Sequence, residues 1–210
     1  MRKIVCLVFL FSVICGNVSA QNGRKLSESE TRALERKLIE HSASIRTLQC
    51  AFVQEKTSSL ISEKAVARGT MLYQAPSMLR WEYATPTPST LILNGTNAIL
   101  LDKDGKRMGN ERMLRQLGGI IISMINGSGI AQNRQFSSVF YELNQAQILV
   151  VLTPVQKRMR DIYSKIELKI DQKTMLASDI ILYENNGDKT TISLTNKTLN
   201  VDISRDKFSF

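Results

Sequence analysis

The chain has 210 residues, of which 43% are hydrophobic and 22% charged, and a formal net charge of +9. This length suits one domain with a real core, and the balance excludes a disordered chain. Basic residues are scattered without an aromatic-plus-basic motif, so no nucleic-acid partner is expected. Attraction to anionic lipid headgroups, or plain solubility, accounts for the charge.

Residues 1–20 read as a cleaved signal peptide. Arg2 and Lys3 form a positive start, and the apolar run from Ile4 to Ile14 is too short to span a bilayer. Val18-Ser19-Ala20 then offers a small residue at the cleavage position, so the mature chain is expected from Gln21, in the periplasm. Cys15 follows the bulky Ile14, whereas a lipid-bearing cysteine usually follows a small residue, so cleavage after Ala20 is favoured over lipidation at Cys15. Cleavage leaves Cys50 alone, with no internal disulfide, and it reads as an inward-facing small hydrophobe.

Gln21 to Lys25 reads as a flexible start. Ser27 to Glu30 fits a capping box opening an amphipathic helix. Its apolar face carries Leu34, Leu38, His41 and Ile45 at helical spacing. From Leu48 the period changes to two, with Leu48, Cys50 and Phe52 alternating with Gln49, Ala51 and Val53. Strands are predicted near 66–73, 78–83, 90–93 and 98–101, with Asp102 to Gly105 as a hairpin tip. Residues 110–126 form an apolar helix interrupted by Gly118-Gly119. That pair reads equally as a soft point or as a close-packed contact. Strands follow at 138–143, 148–152, 163–170, 177–183 and 190–196, with a short end strand at 208–210. Ile166, Leu168 and Ile170 alternate with Lys165, Glu167 and Lys169, the mark of antiparallel strands with one wet and one apolar face. Ten or eleven such strands should curl into a barrel or half-barrel whose concave face is covered by helices.

Catalytic chemistry finds little support. His41 is the single histidine and lies on an apolar helix face. No nucleophile elbow, phosphate loop, dinucleotide fingerprint or zinc spacing is present, so no enzyme activity, metal or cofactor is expected. Asp102 and Asp104 belong to a hairpin tip.

The stretch from Thr47 to Gly95 carries a resemblance. It contains Phe52 with Gln54, Gly69 before a strand, Pro76 with Leu79 and Trp81, Pro86, and Asn94-Gly95. In order and spacing it resembles the LolA family of periplasmic carriers of outer-membrane lipoproteins. The ending, Asp206 to Phe210, is also similar to the family's last core strand. The resemblance implies an α+β, mostly β fold over residues 21–210. That fold is an incomplete antiparallel barrel with an N-terminal helix and an apolar lid helix over a hydrophobic cavity. It implies acylated lipoproteins as cargo, an inner-membrane lipoprotein exporter and an outer-membrane acceptor as partners, and a monomer. Carried over by position, it implies an acyl-binding cavity and lid built from Phe52, Met71, Tyr73, Leu79, Trp81, Leu117, Ile120, Ile121 and Met124. In two places this chain departs from the family pattern. Ala75 stands where the family often has a lid-tying arginine, and the chain stops at Phe210 without the tail of some members. Other roles compatible with the same fold are an outer-membrane acceptor, a carrier of another lipid or a sensor domain.

Overall fold

The computed structural model describes residues 23–59, 63–125, 130 and 135–210, without the side chains of four residues in the second helix, Leu117 among them. The expected signal peptide lies outside the described residues.

Strand β1 (Arg24–Lys25) leads into helix α1 (Glu28–Ala43). The capping box forms as the sequence requires: Glu30 N donates to Ser27 Oγ, and Ser27 N donates to the Glu30 carboxylate at 2.8 Å. Strands β2 (Thr47–Thr57), β3 (Lys64–Gln74), β4 (Met78–Thr85), β5 (Ser89–Asn94), β6 (Asn97–Asp102) and β7 (Arg107–Met108) form a meander. Helix α2 (Glu111–Ile125) follows, then β8 (Phe136–Asn144), β9 (Gln147–Pro154) and the single turn α3 (Lys157–Arg160). Strands β10 (Tyr163–Asp171), β11 (Ala177–Glu184) and β12 (Lys189–Leu199) complete the sheet. The order is β1-β8-β9-β10-β11-β12-β2-β3-β4-β5-β6-β7, antiparallel throughout, and the two ends do not meet. Both edge strands have two residues, so each covers only part of its neighbour: β1 pairs with Tyr141 and Glu142 of β8, and β7 with Leu100 and Leu101 of β6.

Two steps are non-consecutive, β1 beside β8 and β12 beside β2, the latter with Leu194 opposite Phe52 and Ile192 opposite Gln54. The β12–β2 step is the one that shapes the interior. It joins the N-terminal meander to the C-terminal one and lets the alternating residues of both face one interior. Both helices cover that face: Leu38 of α1 and Leu114, Ile122 and Met124 of α2 are buried in the same core as Phe52, Leu79, Val150 and Ile166. Glycine at position 118 has a packing reason. A Cβ there would lie 2.2 Å from Leu93 Cδ1, whereas one on Gly119 would meet nothing within 4 Å. α2 therefore rests its backbone directly on β5.

Three expectations need correction. The end strand at 208–210 is not formed; Arg205–Phe208 is a 3-10 turn. Phe208 is driven outward by packing, filling a cluster with Ile92, Ile99 and Ile203 on the outer face of the sheet. The segment is tied down by hydrogen bonds from Arg80 to the Lys207 carbonyl and from Asn94 to the Phe208 carbonyl, leaving its own backbone no ladder to join. Arg24 and Lys25, read as flexible, pair with Glu142 and Tyr141 of β8, where Arg24 bridges Glu142 and Glu30. The Asp102 turn ends on the short strand β7, which the sequence reading lacked. There Asp102 Oδ1 accepts from the amides of Asp104 and Lys106.

Candidate functional site

Inward-facing residues of β2 run Leu48, Cys50, Phe52, Gln54, Lys56, so the concave face changes from apolar to polar along the strand. At the apolar end it is filled by side chains. Phe52, Met71, Tyr73 and Leu79 are each at most 2% exposed. Cys50 lies among them, and burial pushes its thiol up to about 12. Further along β2 an open cavity of about 380 Å3 remains under α2. One wall is Trp81 and Tyr83 of β4, Leu91 of β5 and Leu100 of β6. The other is Ile166 of β10, Ile180 and Leu182 of β11, and Ile192 of β12. The roof is Leu114, Ile120, Ile121 and Met124 of α2.

Phe52 packs behind the Trp81–Tyr83 wall, outside the cavity lining. Its ring stacks on Trp81 at 4.2 Å and meets Tyr83 edge-on at 5.2 Å. Such aromatic pairs contribute about 0.5–1.5 kcal/mol beyond their area and hold the rings in place. Gly69 lies opposite Phe52 in β3, where the ring leaves no room for a side chain. The Tyr83 hydroxyl donates to Gln54 Oε1 at 2.9 Å. Burial raises the Tyr83 pKa, against the opposing pull of Trp81 and Gln54. The Trp81 indole nitrogen is close enough to exert that pull, but is buried without a hydrogen bond of good geometry among the described residues.

The polar end is a rim of Gln54, Lys56, Tyr163, Glu184 and Thr190. Lys56 Nζ lies 3.1 Å from Glu184 and 3.3 Å from Asp188. These partners, Glu184 first, raise the Lys56 pKa and keep it charged. Burial, then the negative charge of Glu184, raises that of Tyr163. Two other depressions, of about 430 and 610 Å3, are lined mainly by polar residues around Arg46 and Asn200 and around Asp171 and Lys197. Neither suits an apolar ligand. No group of residues able to hold a metal ion occurs among the described residues.

Of the residues singled out in the sequence, Trp81, Ile120, Ile121 and Met124 line the cavity. Phe52, Met71, Tyr73 and Leu79 do not; they share its inward face but are consumed by packing at the closed end. The Leu117 side chain lies outside the described residues. The opposite wall, Ile166 to Ile192, was visible as alternation, but its position facing Trp81 was not.

An apolar cavity in an open antiparallel half-barrel under an apolar helix has a family counterpart. Residues 43–210 match the model for outer membrane lipoprotein carrier protein LolA. The chain belongs to the LolA family. Among solved structures this LolA family member is similar to an uncharacterized conserved protein from Thermus thermophilus, with TM-score 0.51 and 8% identity over 86% of this chain and 93% of that one. It also resembles a LolA superfamily protein from Nitrosomonas europaea (TM-score 0.46, 11% identity, 84% and 97% covered). Lipoprotein LppX of Mycobacterium tuberculosis is a further likeness (TM-score 0.46, 11% identity, 85% and 100% covered). These identities concern the fold alone. No curated protein matches the sequence significantly. The family is one of carriers and binding proteins rather than enzymes. Among the described residues no helix is long and apolar enough to cross a membrane.

Proposed function

We propose that this LolA family member is a periplasmic carrier that shields the acyl chains of lipoproteins and passes them from an inner-membrane exporter toward an outer-membrane acceptor. The observation that carries this reading is the cavity of about 380 Å3 walled by Trp81, Leu91, Ile166, Ile180, Leu182 and Ile192 and roofed by α2. Each methylene moved from water into such a space gains about 0.8 kcal/mol, which is the driving force an acyl carrier needs. Release requires that the gain be undone, and the roof is the element to move. α2 is a single helix held largely by apolar contacts, with one hydrogen bond from Arg115 to the Thr96 carbonyl at 3.1 Å and with Ile120, Ile121 and Ile125 only partly buried.

Trp81 is the single tryptophan of the chain and lies in the cavity wall, so its emission reports occupancy directly. Titration with a triacylated lipopeptide should give a saturable change in emission, absent with the deacylated peptide. Ile121→Asp, which sets a carboxylate in the roof, should lower affinity at least tenfold while the circular dichroism stays native. Equal responses to acylated and deacylated peptide, or none with either, would refute the carrier reading.

A further inference from the structure

Resting on the acyl-carrier reading, the structure also assigns a head-group preference to the cavity. A methylene takes up about the 30 Å3 of a water molecule in the liquid, so about 380 Å3 holds on the order of 13 methylenes. That is one acyl chain, not three, while α2 is in place. The walls are largely apolar except at the end where Gln54, Lys56, Tyr163, Glu184 and Thr190 meet, so an amphiphile fits with its chain inward and its head at this rim.

The rim is not a free cationic site. Lys56 is already held between Glu184 at 3.1 Å and Asp188 at 3.3 Å, and Asp188 is itself fixed by the Ser59 amide at 3.0 Å. Asp188 lies behind Lys56, outside the cavity lining, and with Glu184 it gives this cluster two negative groups against one positive. A ligand carboxylate there would face these two carboxylates with no unpaired cation among the described residues of the cavity lining to offset them, in a site where partial burial weakens screening. A neutral ester or amide carbonyl carries no such penalty and finds donors at Lys56 and Thr190.

We infer that the cavity under α2 takes a single acyl chain joined through an ester or amide to an uncharged head, and discriminates against free fatty acids. The shared chemistry is an acyl ester or amide, whether from a lipoprotein or from a neutral lipid.

The test compares myristate, monomyristoylglycerol and tetradecanamide at pH 8 with the purified protein. All are used below their aggregation limits, with Trp81 emission and titration calorimetry as readouts. The ester and amide should bind with one chain per protein, and myristate at least tenfold more weakly. Affinity of the esters should rise about fourfold per methylene and level off at roughly 13. Glu184→Gln should close most of the gap between myristate and the ester. Asp188→Asn, which removes the same charge from the other side of Lys56, serves if that variant does not fold. Myristate binding as tightly as the ester, or an unchanged ratio in the variants, overturns the head-group inference and leaves the carrier reading standing. No binding by any of the three, nor by the triacylated lipopeptide, overturns both.

Discussion

Gly69 is the position where backbone approach, aromatic packing and stability meet. It pairs with Phe52 of β2 and Tyr83 of β4. A methyl placed there would lie 1.9 Å from the Glu82 carbonyl oxygen and 2.6 Å from Phe52 Cζ. Carbon contacts settle at about 3.3–4.0 Å, so one neighbour must retreat by more than about 1 Å. Neither does so easily. Glu82 belongs to a β4 ladder bonded on both sides, and Phe52 is clamped against Trp81 and Tyr83. Overpacking of this kind costs about 1–3 kcal/mol, while alanine recovers about 0.5–1 kcal/mol of the entropy lost by glycine in a strand. For Gly69→Ala we expect a net loss of about 1–2 kcal/mol. At about 2–4 °C per kcal/mol for a domain of this size, Tm should fall by about 2–8 °C. Far-UV circular dichroism gives the melt, and Trp81 emission reports whether its stacking on Phe52 has shifted. A Tm that rises, or stays within about 1 °C of the parent, would refute the reasoning.

Phe208→Ala removes a fully buried ring from the outer-face cluster and should cost about 3–5 kcal/mol, seen as a Tm lower by about 6–20 °C. Lipopeptide affinity should not change, since the ring lies on the far side of the sheet from the cavity. Cys50, buried and with its thiol pushed up to about 12, should resist a disulfide reagent at pH 8 in the native protein and react fully in guanidinium. Rapid native labelling would contradict its burial. The Glu30 carboxyl is held down to about 2, first by Arg24 and then by Ser27. Because the folded value lies below the unfolded one near 4.3, its contribution is complete above pH about 5 and fades as pH falls toward 2. The Tm gap between the parent and Glu30→Gln should therefore be constant above pH about 5 and close below it, and a gap that persists at pH about 2 would exclude this origin.

Much of the architecture was legible because it is local. The capping box at Ser27, the switch from helical to alternating spacing at Leu48, and the alternation of Ile166 to Ile170 each follow from a few neighbouring residues. The composition of the lid was legible for the same reason, since Ile120, Ile121 and Met124 announce an apolar helix face. Phe208 was not. Its short apolar run reads as a strand by pattern, and only the cluster of Ile92, Ile99 and Ile203 on the outer face decides that it packs as a plug.

The amino-acid sequence by itself determined which side chains point inward, because alternation within a strand is settled by the chain's own geometry. It also determined the family, through residues spread along most of the chain. Only the tertiary structure decided which inward residues are consumed by packing and which border open space. Phe52, Leu79 and Trp81 all point inward, yet Phe52 and Leu79 are packed away while Trp81 borders the cavity. The separation arises because β12 lies beside β2 and α2 rests on Leu93, so one end of the concave face is filled and the other stays open. The same non-local pairing brings Lys56 to Glu184, 128 positions away in the chain, and sets the charge at the cavity's mouth.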